Sequence, residues 1–260
     1  MIVKAHAKVN IFLKIVGLRG EYHLLSSRFM QLPHLFDTLR FLPKEVPSET
    51  FTLRGDFGCE TEKNTIYKAY LALLKHTGSR KMETFFHTHE VVVDKQIPEF
   101  AGLGGGSSDA AAFLNLCNEL FGLGLRRETV ASIGASIGAD VPFFVYDYPS
   151  ANVSGIGEIV EPFEEVPLDL ITVTPEIACD TGAVYAAFRK GYLHTLARNR
   201  ESAERFSRMQ SDILLEDYSA TALNDLFAPA LSLCPELQEY AKKGWFFSGS
   251  GSTFFKRREA

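Results

Sequence analysis

The sequence predicts a protein of mixed α and β structure, either α+β or α/β. Alternating apolar residues, typical of strands, are interleaved along the chain with apolar residues at helical spacing. No internal repeat of fixed period is present. Hydrophobic residues make up 46% and charged residues 23% of the chain, which is ordinary globular usage. The length of 260 residues admits one large domain or two modest ones.

The first hundred residues contain one well-delimited helix among several strand candidates. Apolar residues at helical spacing fill residues 64–77, with Asn64 as the expected N-cap and Gly78 as the stop. A polar, glycine-bearing turn is expected at residues 17–21. Alternation or enrichment in Val and Phe predicts four strands, at residues 3–16, 36–42, 50–53 and 85–93.

A glycine-rich turn at residues 98–112 leads into a helix expected over residues 107–121. The segment 148–157 is rich in Pro, Ser, Asn and Gly, so we place a domain boundary there, giving domains of residues 1–152 and 153–260. Eight further elements are expected: a helix at 126–137, a buried strand at 141–146, strands at 170–173 and 245–247, a helix opened by Thr181, a polar helix at 199–209, and helices around Leu223 and Leu237.

Charge and cysteine content exclude several classes of function. Lys and Arg number 27 against 32 Asp and Glu, so the net charge of −5 argues against nucleic-acid binding, which needs clustered basic residues. No apolar run exceeds six residues, and a membrane span needs about 20. The N-terminus lacks the apolar region of a signal peptide, so we expect a cytoplasmic protein. The four cysteines are far apart, which leaves no local zinc or redox motif.

The glycine-rich turn is the strongest chemical signal in the sequence. Gly102 and the run from Gly104 to Gly106 stand between a strand and a helix. Glycines let a ligand approach the backbone, and the free amides and dipole at a helix N-terminus attract anions. The spacing fits neither a Walker A loop, a dinucleotide fingerprint nor a hydrolase elbow. A tight helix entry is the alternative, but three consecutive glycines are costly for that purpose alone. The turn therefore predicts phosphate binding.

The segment from Ile97 to Ala112 resembles the phosphate-binding motif of the GHMP kinases, named after galactokinase, homoserine kinase, mevalonate kinase and phosphomevalonate kinase. Five further segments resemble those GHMP kinases that act on a cytidine diphosphate-linked methylerythritol: residues 7–13, 22–26, 137–144, 224–226 and 248–253. The resemblance covers nearly the whole chain. It implies a two-domain α+β fold, with an N-terminal domain like ribosomal protein S5, a ferredoxin-like C-terminal domain and an active-site cleft between them.

The resemblance also implies a reaction and a cofactor. The expected activity is ATP-dependent phosphorylation of the 2-hydroxyl of that substrate, in non-mevalonate isoprenoid precursor synthesis. The ATP phosphates would lie on the turn formed by Gly102, Leu103, Gly104, Gly105, Gly106, Ser107 and Ser108. Mg²⁺ would be held through the phosphates, with a hydroxyl of Ser107 or Ser108 as a further ligand. Asn64 matches a family position near the adenine, and a plain N-cap is the competing interpretation.

Two residues would carry the chemistry. Asp140 would accept the proton of the attacking hydroxyl. Lys8 would sit beside it, keep it ionised and stabilise charge on the γ-phosphoryl group. Without the resemblance, Lys8 would be interpreted as a surface lysine and Asp140 as a turn or cap residue.

Substrate recognition would fall to a second group of residues. Tyr22 could stack on cytosine, and His23 could bond to its polar edge. Tyr185 matches a second aromatic that sandwiches the base, although a core aromatic on a helix face is an equal alternative. The remaining substrate contacts are expected from Asn10, Thr181, Gly249 and Ser250.

The sequence departs from the family pattern at two places. The family usually has Asp-Gly before Tyr-His, where this chain has Gly20-Glu21 and a turn that is one residue shorter. The chain also stops soon after Phe255, so we expect a shortened C-terminal domain. The expected assembly is a monomer or weak homodimer, with neither nucleic acid nor membrane as a partner. Two alternatives stay open: another GHMP kinase of mevalonate or homoserine type, and a catalytically silent nucleotide-binding module.

Overall fold

The computed structural model describes residues 2–258. These residues form two compact units, and neither unit is continuous in sequence. The first unit comprises residues 2–7, Pro33–Glu99 and Gly104–Asp147. The second comprises Lys8–Leu32, Phe100–Leu103 and residues 148–258. The domain boundary expected after residue 152 stays a prediction.

Strands and helices alternate along the chain, which confirms the mixed α and β class. The strands are β1 (Ile2–Arg19), β2 (Tyr22–Pro43), β3 (Leu53–Arg54), β4 (His89–Asp94), β5 (Ser150–Gly155), β6 (Ile159–Pro162), β7 (Leu170–Val173), β8 (Phe246–Phe247) and β9 (Phe254–Arg257). The α-helices are α1 (Thr65–Thr77), α2 (Arg80–Thr88), α3 (Gly105–Leu120), α4 (Arg127–Ala135), α5 (Val141–Tyr146), α6 (Thr181–Gly191), α7 (Leu196–Phe206), α8 (Ser211–Asp217), α9 (Ala220–Leu223) and α10 (Phe227–Leu233). Short 3₁₀ helices lie at Thr61–Lys63, Leu193–Thr195 and Pro235–Glu239. Among residues 2–258, no helix has the length and apolar character that crossing a membrane requires.

The first unit is built on strand pairing at the end of β2. Residues 38–43 of β2 pair antiparallel with β4, and β3 pairs parallel with β4. Helices α1, α3, α4 and α5 pack on one another. The core between these elements is aromatic: Phe51 stacks on Tyr70 at 4.4 Å between ring centroids, and Phe86 contacts Phe113 at 5.8 Å. Packing of this kind fixes the direction of α3, whose N-terminus carries the glycine-rich turn.

The second unit uses the beginning of β2. Residues 25–30 pair antiparallel with β5, and β5 pairs with β6. A separate three-stranded sheet has the order β7-β9-β8. Arg28 is fully buried here, bonding Asn152 and the main-chain carbonyl of Ser207, with Glu165 at 3.5 Å. Burial lowers the pKa of Arg28 to about 10, although Glu165 opposes that shift. These polar partners are what make a buried guanidinium tolerable.

Local signals located α1 correctly and misassigned two other elements. Asn64 caps α1 by accepting a hydrogen bond from the Ile66 amide at 2.8 Å, and Gly78 ends the helix at φ 60°, as expected. The strand expected over residues 85–93 is wrong in its first part, because α2 continues to Thr88. The strand expected at 141–146 is the helix α5, buried against α3 and α4. A short apolar run buried on all sides has no periodicity to separate helix from strand.

Candidate active site

A buried lysine is held at the centre of the second unit. Lys8 and Asn10 lie two residues apart on β1, so their side chains share a face. The Lys8 ammonium donates to the Asn10 side-chain oxygen at 2.7 Å and to the Gly102 carbonyl at 3.0 Å. Both side chains belong to residues no more than 3% exposed. The alternative interpretation of Lys8 as a surface lysine is therefore wrong, because its ammonium is buried and bonded to two oxygen acceptors.

Two glycine-bearing turns meet beside Lys8. The Ser248 hydroxyl donates to the Gly102 carbonyl at 2.9 Å, the same oxygen that Lys8 bonds. Gly102 has φ 75°, and a Cβ there would lie 2.2 Å from the Ser248 carbonyl oxygen. Only glycine permits this approach of the two backbones. Asn224 holds the second turn by donating to the carbonyls of Phe247 and Gly249, at 2.8 and 2.9 Å.

The second turn also contacts the start of α6. The Ser250 and Thr181 hydroxyls lie 2.8 Å apart, so the structure brings together two residues that the sequence assigned to one pocket. Gly249 has φ 58°, and a Cβ there would lie 3.4 Å from the Asn10 side-chain oxygen. The second turn therefore contacts Thr181 through Ser250 and lies next to Asn10 at Gly249.

The aromatic residues expected at the base pocket lie at the start of β2 and on α6. The His23 and Tyr185 ring centroids are 5.0 Å apart, whereas the Tyr22 side chain belongs to a residue that is 63% exposed. Burial, and then the nearby Arg189, lower the pKa of His23 below its usual value. Its Nε2 atom is buried without a hydrogen-bond partner among the residues described. A neutral imidazole has one nitrogen that donates and one that accepts a hydrogen bond.

The glycine run from Gly104 to Gly106 forms the start of α3 in the first unit. Gly104 has φ 73° and precedes the helix, whose 16 residues begin at Gly105. The first-turn amides of a helix have no intrahelical partner, so they are available to an anion. Thr65, directly after Asn64, donates its hydroxyl to the Gly106 carbonyl at 2.6 Å and ties this turn to α1. Asn64 acts as an N-cap, while its expected role near adenine stays a prediction.

Asp140 and the start of α3 belong to the same unit. Asp140 is half-buried at the N-terminus of α5, and its side chain makes no capping hydrogen bond. Asp140 thus stands in a turn at the N-cap position of α5, as expected without the resemblance, but its carboxylate does not cap the helix. A Cβ on Gly138 would lie 3.5 Å from the Ser107 hydroxyl, which puts the segment before Asp140 against the start of α3.

A buried ionic cluster behind the phosphate turn was missed by sequence reasoning. The Lys95 ammonium lies 2.5 Å from Asp37 and 2.7 Å from Asp109, the fifth residue of α3. Burial raises the pKa of Asp109 to about 7, against the opposing effect of Lys95. Burial opposes the charge of Lys95, but the two carboxylates outweigh it and raise its pKa. Only Asp109 lies inside the motif, so the sequence carried no signal for its two distant partners.

No group of three or more His, Cys, Asp or Glu within residues 2–258 has the placement to hold a metal ion.

Comparison with known proteins identifies first the class and then the family. A family model described as the GHMP kinases N terminal domain matches residues 64–148, which include the phosphate turn and Asp140. A mevalonate kinase from Methanococcus jannaschii shares the fold, with a TM-score of 0.63 at 12% identity over 100% of this chain and 90% of that one.

More similar relatives align with this chain over almost the whole length of both proteins. A 4-diphosphocytidyl-2-C-methyl-D-erythritol kinase of a Sulfurovum species is 54% identical over 258 residues, 99% of both chains. The Helicobacter pylori kinase of the same name is 37% identical, covering 98% of this chain and 96% of its own. A crystal structure of a 4-(cytidine 5'-diphospho)-2C-methyl-D-erythritol kinase aligns with a TM-score of 0.72 at 29% identity, over 100% of this chain and 91% of that one. The chain belongs to the 4-diphosphocytidyl-2-C-methyl-D-erythritol kinase family of the GHMP kinases. Membership in a kinase family implies ATP as the phosphoryl donor.

Proposed function

We propose that the chain transfers the γ-phosphoryl group of ATP to the 2-hydroxyl of 4-diphosphocytidyl-2-C-methyl-D-erythritol. The relatives named above carry that substrate in their names at up to 54% identity. The observation that carries the proposal is the buried Lys8 ammonium, directed by Asn10 and Gly102 beside the second glycine turn. Burial of an ammonium is costly unless directed partners stabilise it, and the Asn10 oxygen and the Gly102 carbonyl do so here.

The phosphates of ATP fit the glycine-rich turn. Gly104, Gly105 and Gly106 present backbone without side chains at the start of a 16-residue helix. Amides in this position and the positive end of the helix dipole supply the attraction for a polyphosphate. Leu103 is buried and anchors the middle of the turn. Gly102, Ser107 and Ser108 complete the set of groups that we assign to the phosphates.

Mg²⁺ would enter with the nucleotide. Oxygen ligands are what this ion prefers, and it commonly uses substrate phosphates together with one or two protein groups. Hydroxyls at the start of α3 are candidate protein groups: Ser107 is half-buried, whereas Ser108 is buried. The bound ion would neutralise charge that develops on the β- and γ-phosphates.

Lys8 and Asp140 divide the chemical work. We assign to Asp140 the role of accepting the proton of the attacking hydroxyl. Phosphoryl transfer usually requires a carboxylate that orients the nucleophile. We assign Lys8 to the charge that spreads over the transferred group. Its bonds to Asn10 and Gly102 leave the ammonium preorganised, so little reorganisation is needed during the reaction.

The cytidine end of the substrate would bind at the start of β2 and on α6. His23 offers a neutral ring next to Tyr185, and Tyr22 supplies an exposed aromatic face from the neighbouring position. An aromatic ring stacked on a base contributes about 1–3 kcal/mol in nucleic-acid systems. Thr181, Gly249 and Ser250 would contact the diphosphate and methylerythritol portions, because hydroxyls and turn amides are typical phosphate donors.

An ADP-release assay with three alcohols tests the proposal. The wild-type protein should turn over 4-diphosphocytidyl-2-C-methyl-D-erythritol and not mevalonate or homoserine. Asp140→Asn should lower turnover at least about 10²-fold, the lower end of general-base effects, while ATP still binds. Turnover of mevalonate alone would assign the chain to another GHMP activity. Binding of ATP without turnover of any of the three would instead support a silent nucleotide-binding module.

A further inference from the structure

The turn that carries the base-pocket residues is attached to α6 through one arginine. Gly20 and Glu21 join β1 to β2, immediately before Tyr22 and His23. The Arg189 guanidinium donates to the Glu21 carboxylate at 2.8 Å and to the Gly20 main-chain carbonyl at 2.8 Å. Its two terminal nitrogens therefore hold a side chain and the backbone of the same turn. The planar fork of arginine suits this double contact, whereas lysine offers a single point charge.

Arg189 lies on the same helix as the rings that pack on His23. Tyr185 and Phe188 contact His23 with ring centroids 5.0 and 6.0 Å apart. Arg189 follows Tyr185 by four residues, about one helical turn, so the two side chains lie on neighbouring positions of one helix face. Adjacent side chains of α6 therefore contact both parts of this region: Arg189 bonds the Gly20–Glu21 turn, and Tyr185 packs on the His23 ring.

The charge of Arg189 also acts on His23. From α6, the Tyr185 ring and the Arg189 charge act on this ring, and Glu21 and Tyr22 directly precede His23 in the chain. Burial and the Arg189 charge both lower the pKa of His23. Its Nε2 atom, without a partner among the described residues, is thereby kept in a neutral ring.

We propose that Arg189 is a positioning residue for the base pocket, holding the Gly20–Glu21 turn on α6 so that Tyr22 and His23 face a cytidine nucleotide in a fixed pose. The inference rests on the proposed function, because that function supplies the nucleotide. The exposed carboxylate of Glu21 contributes little by itself, since exposed ion pairs are worth about 0–1 kcal/mol. The bond to the Gly20 carbonyl is the one that fixes the backbone.

Direct binding of cytidine diphosphate, measured by titration calorimetry, tests the proposal without requiring turnover. Arg189→Gln should weaken cytidine diphosphate binding at least about 10-fold, the lower range for loss of a hydrogen bond to a charged group. ATP binding should change less than about twofold. Glu21→Gln should have a small effect, because Arg189 keeps its bond to the Gly20 carbonyl.

Arg200→Gln is the matched control. Arg200 donates to the Val16 main-chain carbonyl at 2.6 Å, a similar arginine contact to β1 outside the turn. The Arg200→Gln variant should bind cytidine diphosphate as tightly as the wild type does. Thermal unfolding of both variants establishes that they are folded under the assay conditions.

Arg189→Lys separates geometry from charge. It keeps the positive charge near His23 and loses the fork, so binding should be weakened while its pH dependence stays that of the wild type. In Arg189→Gln the pKa of His23 should rise towards its ordinary value, so binding should begin to fall at a higher pH on acidification. A purely structural role would not produce this difference between the two variants.

Two results would overturn the inference: equal cytidine diphosphate affinity in Arg189→Gln and Arg200→Gln, or a loss of ATP affinity equal to the loss of cytidine diphosphate affinity in Arg189→Gln. Failure of the proposed function looks different. In that case the wild type does not phosphorylate 4-diphosphocytidyl-2-C-methyl-D-erythritol, whatever the effect of Arg189→Gln on cytidine diphosphate binding.

Discussion

Replacing Gly102 with alanine tests whether the close approach of the two turns is needed for activity. The residue has φ 75°, and the new Cβ would lie 2.2 Å from the Ser248 carbonyl oxygen and 3.0 Å from its carbon. The left-handed backbone costs an alanine about 1–2 kcal/mol. The clash adds to this, because both atoms belong to the backbone and have to move by about 1 Å to reach an ordinary contact. A misplacement of about 1 Å can reduce catalysis 10²-fold.

We therefore expect Gly102→Ala to lower kcat/KM by at least about 10²-fold in the ADP-release assay. The moved turn would disturb the Gly102 carbonyl, which accepts bonds from both Lys8 and Ser248. Gly244→Ala is the matched control, since Gly244 has φ 80° and no atom lies within 4 Å of its added Cβ. It carries the same backbone strain without the clash. Equal activity of the two variants would refute the argument that this contact positions Lys8.

Two further predictions concern buried charges. The folded state keeps a proton on Asp109 up to pH about 7, whereas the unfolded chain releases it near pH 3.8, so this group's contribution to stability falls as the pH rises between those values. Melting temperatures at pH 5 and pH 8 should differ less in Asp109→Asn than in the wild type, and an unchanged difference would contradict this. Glu165→Gln should lose about 3–5 kcal/mol in urea unfolding, because Arg28 stays buried without its counter-charge. The exposed pair of Arg208 and Glu204 supplies the control, and Glu204→Gln should change stability by less than about 1 kcal/mol.

Local features of the sequence were sufficient wherever a few adjacent residues determine the structure. The helix between Asn64 and Gly78 was predicted from its cap and its stop, and both act as expected. A helix is expected over residues 107–121 after the glycine run, and α3 spans Gly105–Leu120. Local features were not sufficient where burial on all sides removed the periodic signal, as in α5.

Pairings between distant residues could not be predicted from the sequence. Arg189 and Glu21 are separated by 168 positions, and Lys95 and Asp37 by 58. Neither pair has a spacing that indicates contact. Lys8 was assigned through family resemblance, whereas the structure supplies the physical reason for its environment: a buried ammonium bonded to Asn10 and Gly102.

The net charge of −5 is compatible with ligands that are themselves strongly anionic, because bulk charge and site charge act over different ranges. At physiological ionic strength, charges farther apart than about 8 Å in solvent are largely screened. A bound phosphate therefore responds mainly to groups that touch it. The groups that the proposed function assigns to phosphate, which are helix amides and a buried ammonium, do not require a basic surface. Excess carboxylates elsewhere disfavour nucleic acid as a partner without weakening a site whose positive potential is supplied by a few fixed donors.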